Sequence, residues 1–218
     1  MASQTPLHPT FKGHVATTWD ALLLFESCLQ GHINHASRPP NDRERQELIS
    51  SGSIFIYEEH ASGIKRWTDG ISWSPSRILG NFLIYRQLDK LSPPGEKKRV
   101  LRRKKGSQGV NKANPRSNLS VLSVLDPATI VRDPERSLVG FLVDSNPFKE
   151  RGLVKKTISI SFQGVPHYLV SYYNIGDVDN KSLVTPSGSP FFESVKPRTE
   201  LIMSQKFRNP VGEMTMYA

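Results

Sequence analysis

The apolar and polar positions of the chain fall into short segments of differing period. Thr17 precedes Trp19-Asp20-Ala21-Leu22-Leu23-Leu24-Phe25, and Asp20 stands three residues on. This predicts a helix opened by a capping box, with Asp in place of the usual Glu or Gln, and ended near Gly31. The helix is apolar around most of its circumference, so both of its sides are expected to be buried. Cys28 lies on it and reads as core rather than as a reactive thiol. Pro39-Pro40 breaks the chain, and Asn41 caps a second predicted helix, Asp42 to Ser50, with Glu44 at its third position. Ile54-Phe55-Ile56-Tyr57 predicts a strand and Ile64 to Trp67 another, joined as a hairpin across Glu58-Glu59 and Gly63. From Ile78 to Leu88 the mixed apolar spacing fits strand and helix equally.

The strictest period lies further on. From Lys156 to Phe162, residues Ile158, Ile160 and Phe162 share one strand face and Thr157, Ser159 and Ser161 the other. Gln163-Gly164-Val165 turns the chain, and Pro166 to Tyr173 returns, rich in β-forming residues. The hydroxyl-bearing face suits packing against the first half of the chain or against a partner. A last strand is predicted near Leu201-Ile202-Met203. The pattern gives two lobes, residues 11–88 and 138–207, between a disordered N-terminus (1–10), a linker (89–137) and a C-terminal tail (208–218).

Charge sharpens the linker. The 218 residues carry 29 Lys+Arg against 20 Asp+Glu. Residues 1–85 hold 7 basic and 8 acidic side chains, residues 86–116 hold 11 and 2, and residues 117–218 hold 11 and 10. The whole excess therefore sits in one segment, with Pro93-Pro94-Gly95 followed by Lys97-Lys98-Arg99 and Arg102-Arg103-Lys104-Lys105. Such a composition buries too little apolar area to offset chain ordering, so disorder is expected. The two clusters suit polyanion attraction and nuclear import, although a solvated charge run reads the same way. Flexible lysines read phosphate, not bases, so the linker supplies no sequence specificity.

Several chemistries find no support. A single cysteine excludes a disulfide scaffold and a Cys-rich zinc module. No apolar run approaches the roughly 20 residues of a membrane span, and Met1 to Pro9 lacks a signal-peptide core. The chain is expected to be soluble, intracellular and reduced. Only His32 and His35 lie close among six histidines. HExxH, GxGxxG, GxxxxGK[ST] and GxSxG are absent from the sequence. No enzyme activity, metal, cofactor or small-molecule substrate is expected.

One segment concentrates chemistry. Gly63-Ile64-Lys65-Arg66-Trp67-Thr68-Asp69-Gly70-Ile71-Ser72-Trp73-Ser74-Pro75-Ser76-Arg77 holds two tryptophans, three cations and four hydroxyls in 15 residues. Cations meet phosphates or base edges, and hydroxyls and backbone N–H groups fix register on a nucleic-acid backbone. A guanidinium enters a narrow A·T-rich minor groove, where the potential is most negative. Tryptophans stiffen the turn, so less order is lost on binding. A structural hairpin with core tryptophans and solvent-facing cations fits the same residues.

The runs Lys65-Arg66-Trp67-Thr68-Asp69-Gly70 and Trp73-Ser74-Pro75-Ser76-Arg77, with Asp20 to Glu26, Ser51 to Phe55 and Ile78 to Arg86 around them, resemble the first half of the WOPR domain. Leu153 to Ser159 and His167 to Tyr173 resemble its second half. This is the domain of the white–opaque master-regulator family of fungal transcription factors. The resemblance implies two halves that pair into one α+β DNA-binding unit. It also implies site-specific binding to A/T-containing double-stranded DNA in the nucleus, with control of morphology, development or virulence genes. Lys65, Arg66, Trp67, Thr68, Asp69 and Arg77 match the signature run, and Lys155, Lys156 and Thr157 match the start of the second half. All nine are DNA-binding candidates, with Lys155 and Lys156 expected to grip the backbone. Thr68, two residues after a basic pair, is also a candidate phosphorylation site. Transcription co-regulators are further candidate partners. The rival classes are a protein-interaction module whose basic linker serves only import, and a single-strand binder stacking bases on Tyr168, Tyr172 and Tyr173.

Overall fold

The computed structural model describes residues 6–89 and 148–211. The import candidates Lys97, Lys98, Arg99, Arg102, Arg103, Lys104 and Lys105 lie outside the described residues. The fold is α+β. Strands β1 (Phe11–Lys12), β2 (Ser53–Glu58), β3 (Arg77–Leu79), β4 (Phe82–Arg86), β5 (Val154–Phe162) and β6 (Val165–Tyr173) form one antiparallel sheet of order β1-β2-β6-β5-β4-β3. Helices α1 (Thr18–Leu29), α2 (Asp42–Leu48), α3 (Glu59–Ser62), α4 (Ile175–Asp179) and α5 (Thr199–Met203) surround it. The hairpin β5–β6 sits between β2 and β4, so a pair of strands from the second half of the sequence is inserted between two pairs from the first.

The hairpin turn follows from its sequence. Gln163 (φ 50°) and Gly164 (φ 78°) both lie in the left-handed region, as a two-residue loop matching the strand twist requires. The mixed segment Ile78 to Leu88 is the hairpin β3–β4. Two expectations are corrected. Ile64 to Trp67 is not a strand, because both edges of β2 are occupied. Ile54 to Glu58 pair with Ser171 to His167 on one side. On the other, β1 pairs at Ile54 and Ser53, the Ile56 N–H donates to Thr10 Oγ1 at 3.0 Å, and the Ile56 carbonyl accepts from Ala36. The chain instead turns through α3, ended by Gly63 in the left-handed conformation. The segment around Leu201 is helix α5, not a strand. Leu201 is 0% and Met203 76% exposed, an opposition that residues two apart show on a helix and not on a strand.

The sheet has two differently dressed faces. One packs on α1, whose capping box is present, with Asp20 bonded to the Thr17 N–H at 2.8 Å. Leu22, Leu24 and Phe25 are buried against Ile54, Ile56, Ile84, Ile158 and Leu169, each large apolar side chain contributing about 1.5–3 kcal/mol. The far side of α1 is covered by the chain after Ser182: the Ser187 N–H donates to Asp20 Oδ1 at 2.9 Å, and Arg198 Nη2 bonds Glu26 Oε1 at 2.8 Å. The helix is thus buried on both sides as its composition requires. Cys28 is buried there, and burial pushes its thiol up to about 12. The other sheet face carries the candidate interface.

Candidate nucleic-acid interface

The segment from Gly63 to Ser76 has little regular structure of its own, yet it is tied down at both ends and in the middle. At its start Ile64 is buried. At its end the Ser74 N–H donates to the Arg86 carbonyl at 2.9 Å, the Ser74 hydroxyl accepts from the Arg86 N–H at 3.0 Å, and the Leu88 N–H donates to Ser72 at 2.8 Å. The middle is held by Asp69, which is 5% exposed. Its carboxylate accepts from Trp73 Nε1 at 3.0 Å, Lys155 Nζ at 3.0 Å, the Tyr172 hydroxyl at 2.8 Å and the Ile71 N–H at 3.1 Å. Trp67 Nε1 in turn donates to the Tyr172 oxygen at 2.8 Å. Burial acts to raise the Asp69 carboxyl, but the Lys155 charge and the donated bonds outweigh it and hold it below its ordinary value. For Lys155, burial outweighs the pull of Asp69 and lowers the amine.

Rings complete the bracing. Trp67 stacks on Tyr57 at 5.4 Å and 14° and lies 5.0 Å from Phe55, while Lys155 Nζ sits 4.5 Å over Trp73. Gly70 permits the tight reversal. Its φ is 72°, and a Cβ there would meet the Arg45 guanidinium at 2.7 Å. Arg45 itself is paired with Asp42 on α2. The apolar faces of the tryptophans therefore point into the sheet, and Lys65, Arg66 and Thr68 remain exposed.

Beside this turn the sheet forms a groove of about 580 Å³. Leu83, Thr157, Ser159 and Tyr168 of the sheet line it, together with the cations Arg66, Lys206 and Arg208. The fold brings Arg66, Trp67, Lys155 and Thr157 to this groove, with Lys65, Thr68 and Asp69 on the same turn. It does not bring Lys156 or Arg77. Lys156 is 1% exposed on the α1 face, its Nζ bonded to the Ala16 carbonyl at 3.2 Å and 4.3 Å over the Phe82 ring. Adjacent residues of a strand point to opposite faces, so the expectation that both lysines grip DNA is corrected: Lys156 is core. Lys155 and Asp69 are likewise engaged with each other, so they position the turn from beneath. Arg77 is exposed but pairs with Ile84, a core-facing residue, and alternation sends it to the α1 side of edge strand β3.

Sequence reasoning missed Tyr172 as the second anchor, and it missed Lys206 and Arg208. The basic–aromatic–basic run Lys206-Phe207-Arg208 was the available signal for the latter.

Residues 10–174 match the Gti1/Pac2 family. The global transcription regulator sge1 of Gibberella fujikuroi is 57% identical over 98% of this chain and 66% of its own length. Its namesake in Verticillium dahliae is 54% identical over 98% of this chain and 46% of its own length. The chain thus spans about half to two-thirds of these relatives. Among solved structures, the WOPR domain of Wor1 from Candida albicans in complex with 13-bp double-stranded DNA is 32% identical. Its TM-score is 0.58, covering 88% of this chain and 93% of that one.

Proposed function

The chain belongs to the Gti1/Pac2 family, and from that premise we propose that it is a sequence-specific, double-stranded DNA-binding transcription regulator. The observation that carries the reading is the turn held by Asp69, Tyr172 and the two tryptophans, which leaves Arg66 exposed beside a cation-lined groove. A buried carboxylate accepting from four donors fixes the loop before any ligand arrives. The turn's backbone then meets the duplex at little ordering cost. Arg66 reads base edges of an A/T-containing site, and Lys65 holds an adjacent phosphate. The basic clusters from Lys97 to Lys105 raise non-specific affinity and direct the protein to the nucleus. The genes under its control are those of morphology, development or virulence.

Thr68 is exposed next to Arg66. A phosphate there adds about −1.5 to −2 charge to the DNA-facing turn and weakens binding. Equal affinity of the Thr68-phosphorylated and unmodified proteins for one duplex would refute that control.

The reading as a whole is tested by random-oligonucleotide selection with the purified chain. Enrichment of one A/T-containing motif supports it. Recovery of sequences no different from the input pool contradicts it.

A further inference from the structure

The hydroxyl-bearing strand face and the chain after α5 have no part in the turn described above, yet they meet. Thr157 and Ser159 line the groove, and Ser159 is exposed. Lys206, Phe207 and Arg208 also line the groove. This segment lies beyond the 10–174 span of the family match, but it is firmly attached. Asn81, at the β3–β4 turn, accepts from the Arg208 and Asn209 N–H groups at 2.8 and 2.9 Å and donates to the Asn209 carbonyl at 2.9 Å. Asn81 also donates to Thr18 Oγ1 at 3.0 Å, which ties the segment to the start of α1. On the other side the Gln205 amide pairs with both backbone groups of Ser161, accepting at 2.9 Å and donating at 2.8 Å. The β4 ladder runs along β5 from Val154 to Thr157, so Gln205 takes up the edge of β5 beyond the end of that ladder.

Two side-chain amides thus hold a short cationic segment at the groove that Arg66 also lines, beside small hydroxyls. Exposed cations along a groove recognise a linear polyanion, and hydroxyls beside them donate to its phosphate oxygens. Tyr168, also lining the groove, already donates to Glu59 at 3.0 Å, so Thr157 and Ser159 supply the hydroxyls here. We propose that Lys206 and Arg208 form a second wall for the sugar–phosphate backbone of one DNA strand, laid over Thr157 and Ser159 in the groove that Arg66 also lines, with Asn81 and Gln205 as positioning residues. The proposal rests on the DNA-binding reading above and deepens it: the turn reads bases, and this wall grips phosphate without reading sequence.

The test measures affinity of the full chain for its selected duplex and for a scrambled one at several salt concentrations. Lys206→Ala with Arg208→Ala is expected to flatten the slope of log affinity against log salt by about 0.9 for each phosphate no longer neutralised. That equals roughly a fivefold weakening per phosphate at 0.15 M salt, alike on both duplexes, with discrimination unchanged. Lys181→Ala with Lys196→Ala removes the same charge from exposed residues that do not line the groove; its slope should stay near that of the parent chain. Asn81→Ala, which leaves net charge unaltered, should reproduce part of the flattening. An unchanged slope for the first pair, or an equal change for the control pair, overturns the proposal while leaving the DNA-binding reading intact. If the parent chain itself prefers no duplex, both readings fail together.

Discussion

Asp69 decides at the scale of one residue whether the 63–77 segment has a shape. Replacing it by Ala leaves the largely covered Lys155 ammonium against Trp73 and Tyr85 with its carboxylate gone. Breaking a buried pair costs about 3–5 kcal/mol, so Asp69→Ala is expected to lower stability by that amount in thermal or denaturant melts. Tyr172→Phe removes the hydroxyl shared by Trp67 and Asp69 and should cost about 1–3 kcal/mol. The pH dependence follows from the depressed Asp69 carboxyl. Its contribution is complete above the unfolded value of 3.8 and is lost as pH falls through the lower folded value. Melts between pH 5 and 2 should show Asp69→Asn losing less stability over this range than the parent chain. Lys156→Met tests the opposite kind of lysine. Burial beside Phe82 makes the swap tolerable, and the salt slope of DNA binding should not change.

At the scale of elements, much was legible in the sequence and some was misread for identifiable reasons. The capping boxes of α1 and α2 and the β5–β6 hairpin follow from local chemistry that no distant contact overrides. The place of Lys156 was also readable: the alternation that sets Ile158 and Ile160 inward sets Lys156 with them. The supposed strand at Ile64 to Trp67 was not readable as a loop, because its fate depends on β6 claiming β2 from more than a hundred residues away. For the same reason no local pattern reveals Tyr172 as the partner of Trp67, or Asn81 as the holder of Arg208. A histidine of the β2–β6 ladder, His167, forms a pH-sensitive pair with His35 of the chain between α1 and α2. His35 and His167 lie 5.5 Å apart, and burial lowers both below their ordinary value of 6.5. Nearby Glu58 pulls both the other way, while His35 adds to the lowering at His167. The fold favours the neutral form of both, so their contribution is full above 6.5 and declines as pH falls from there through the lowered folded values. His167→Phe should flatten the stability profile between pH 7 and 5 in denaturant melts.

At the scale of the whole molecule, interleaving the two halves of the sequence in one sheet gives a single rigid platform. One face is sealed by α1 and the chain that wraps it. The other holds a fixed turn and a groove lined by small hydroxyls and by Arg66, Lys206 and Arg208. On the proposed reading the held turn and exposed charge divide the work of recognition: the guanidinium that the turn presents discriminates, and exposed charge around the groove attracts. The proposed discrimination therefore stands or falls with Arg66 reading bases from the turn that Asp69 holds. The decisive experiment is competition binding of Arg66→Ala with the selected duplex and a scrambled one at a single salt concentration. A loss of about 1–3 kcal/mol on the selected duplex, with a much smaller loss on the scrambled one, is expected. Equal losses on both would refute base reading by Arg66, because a side chain that only attracts phosphate cannot tell the two apart.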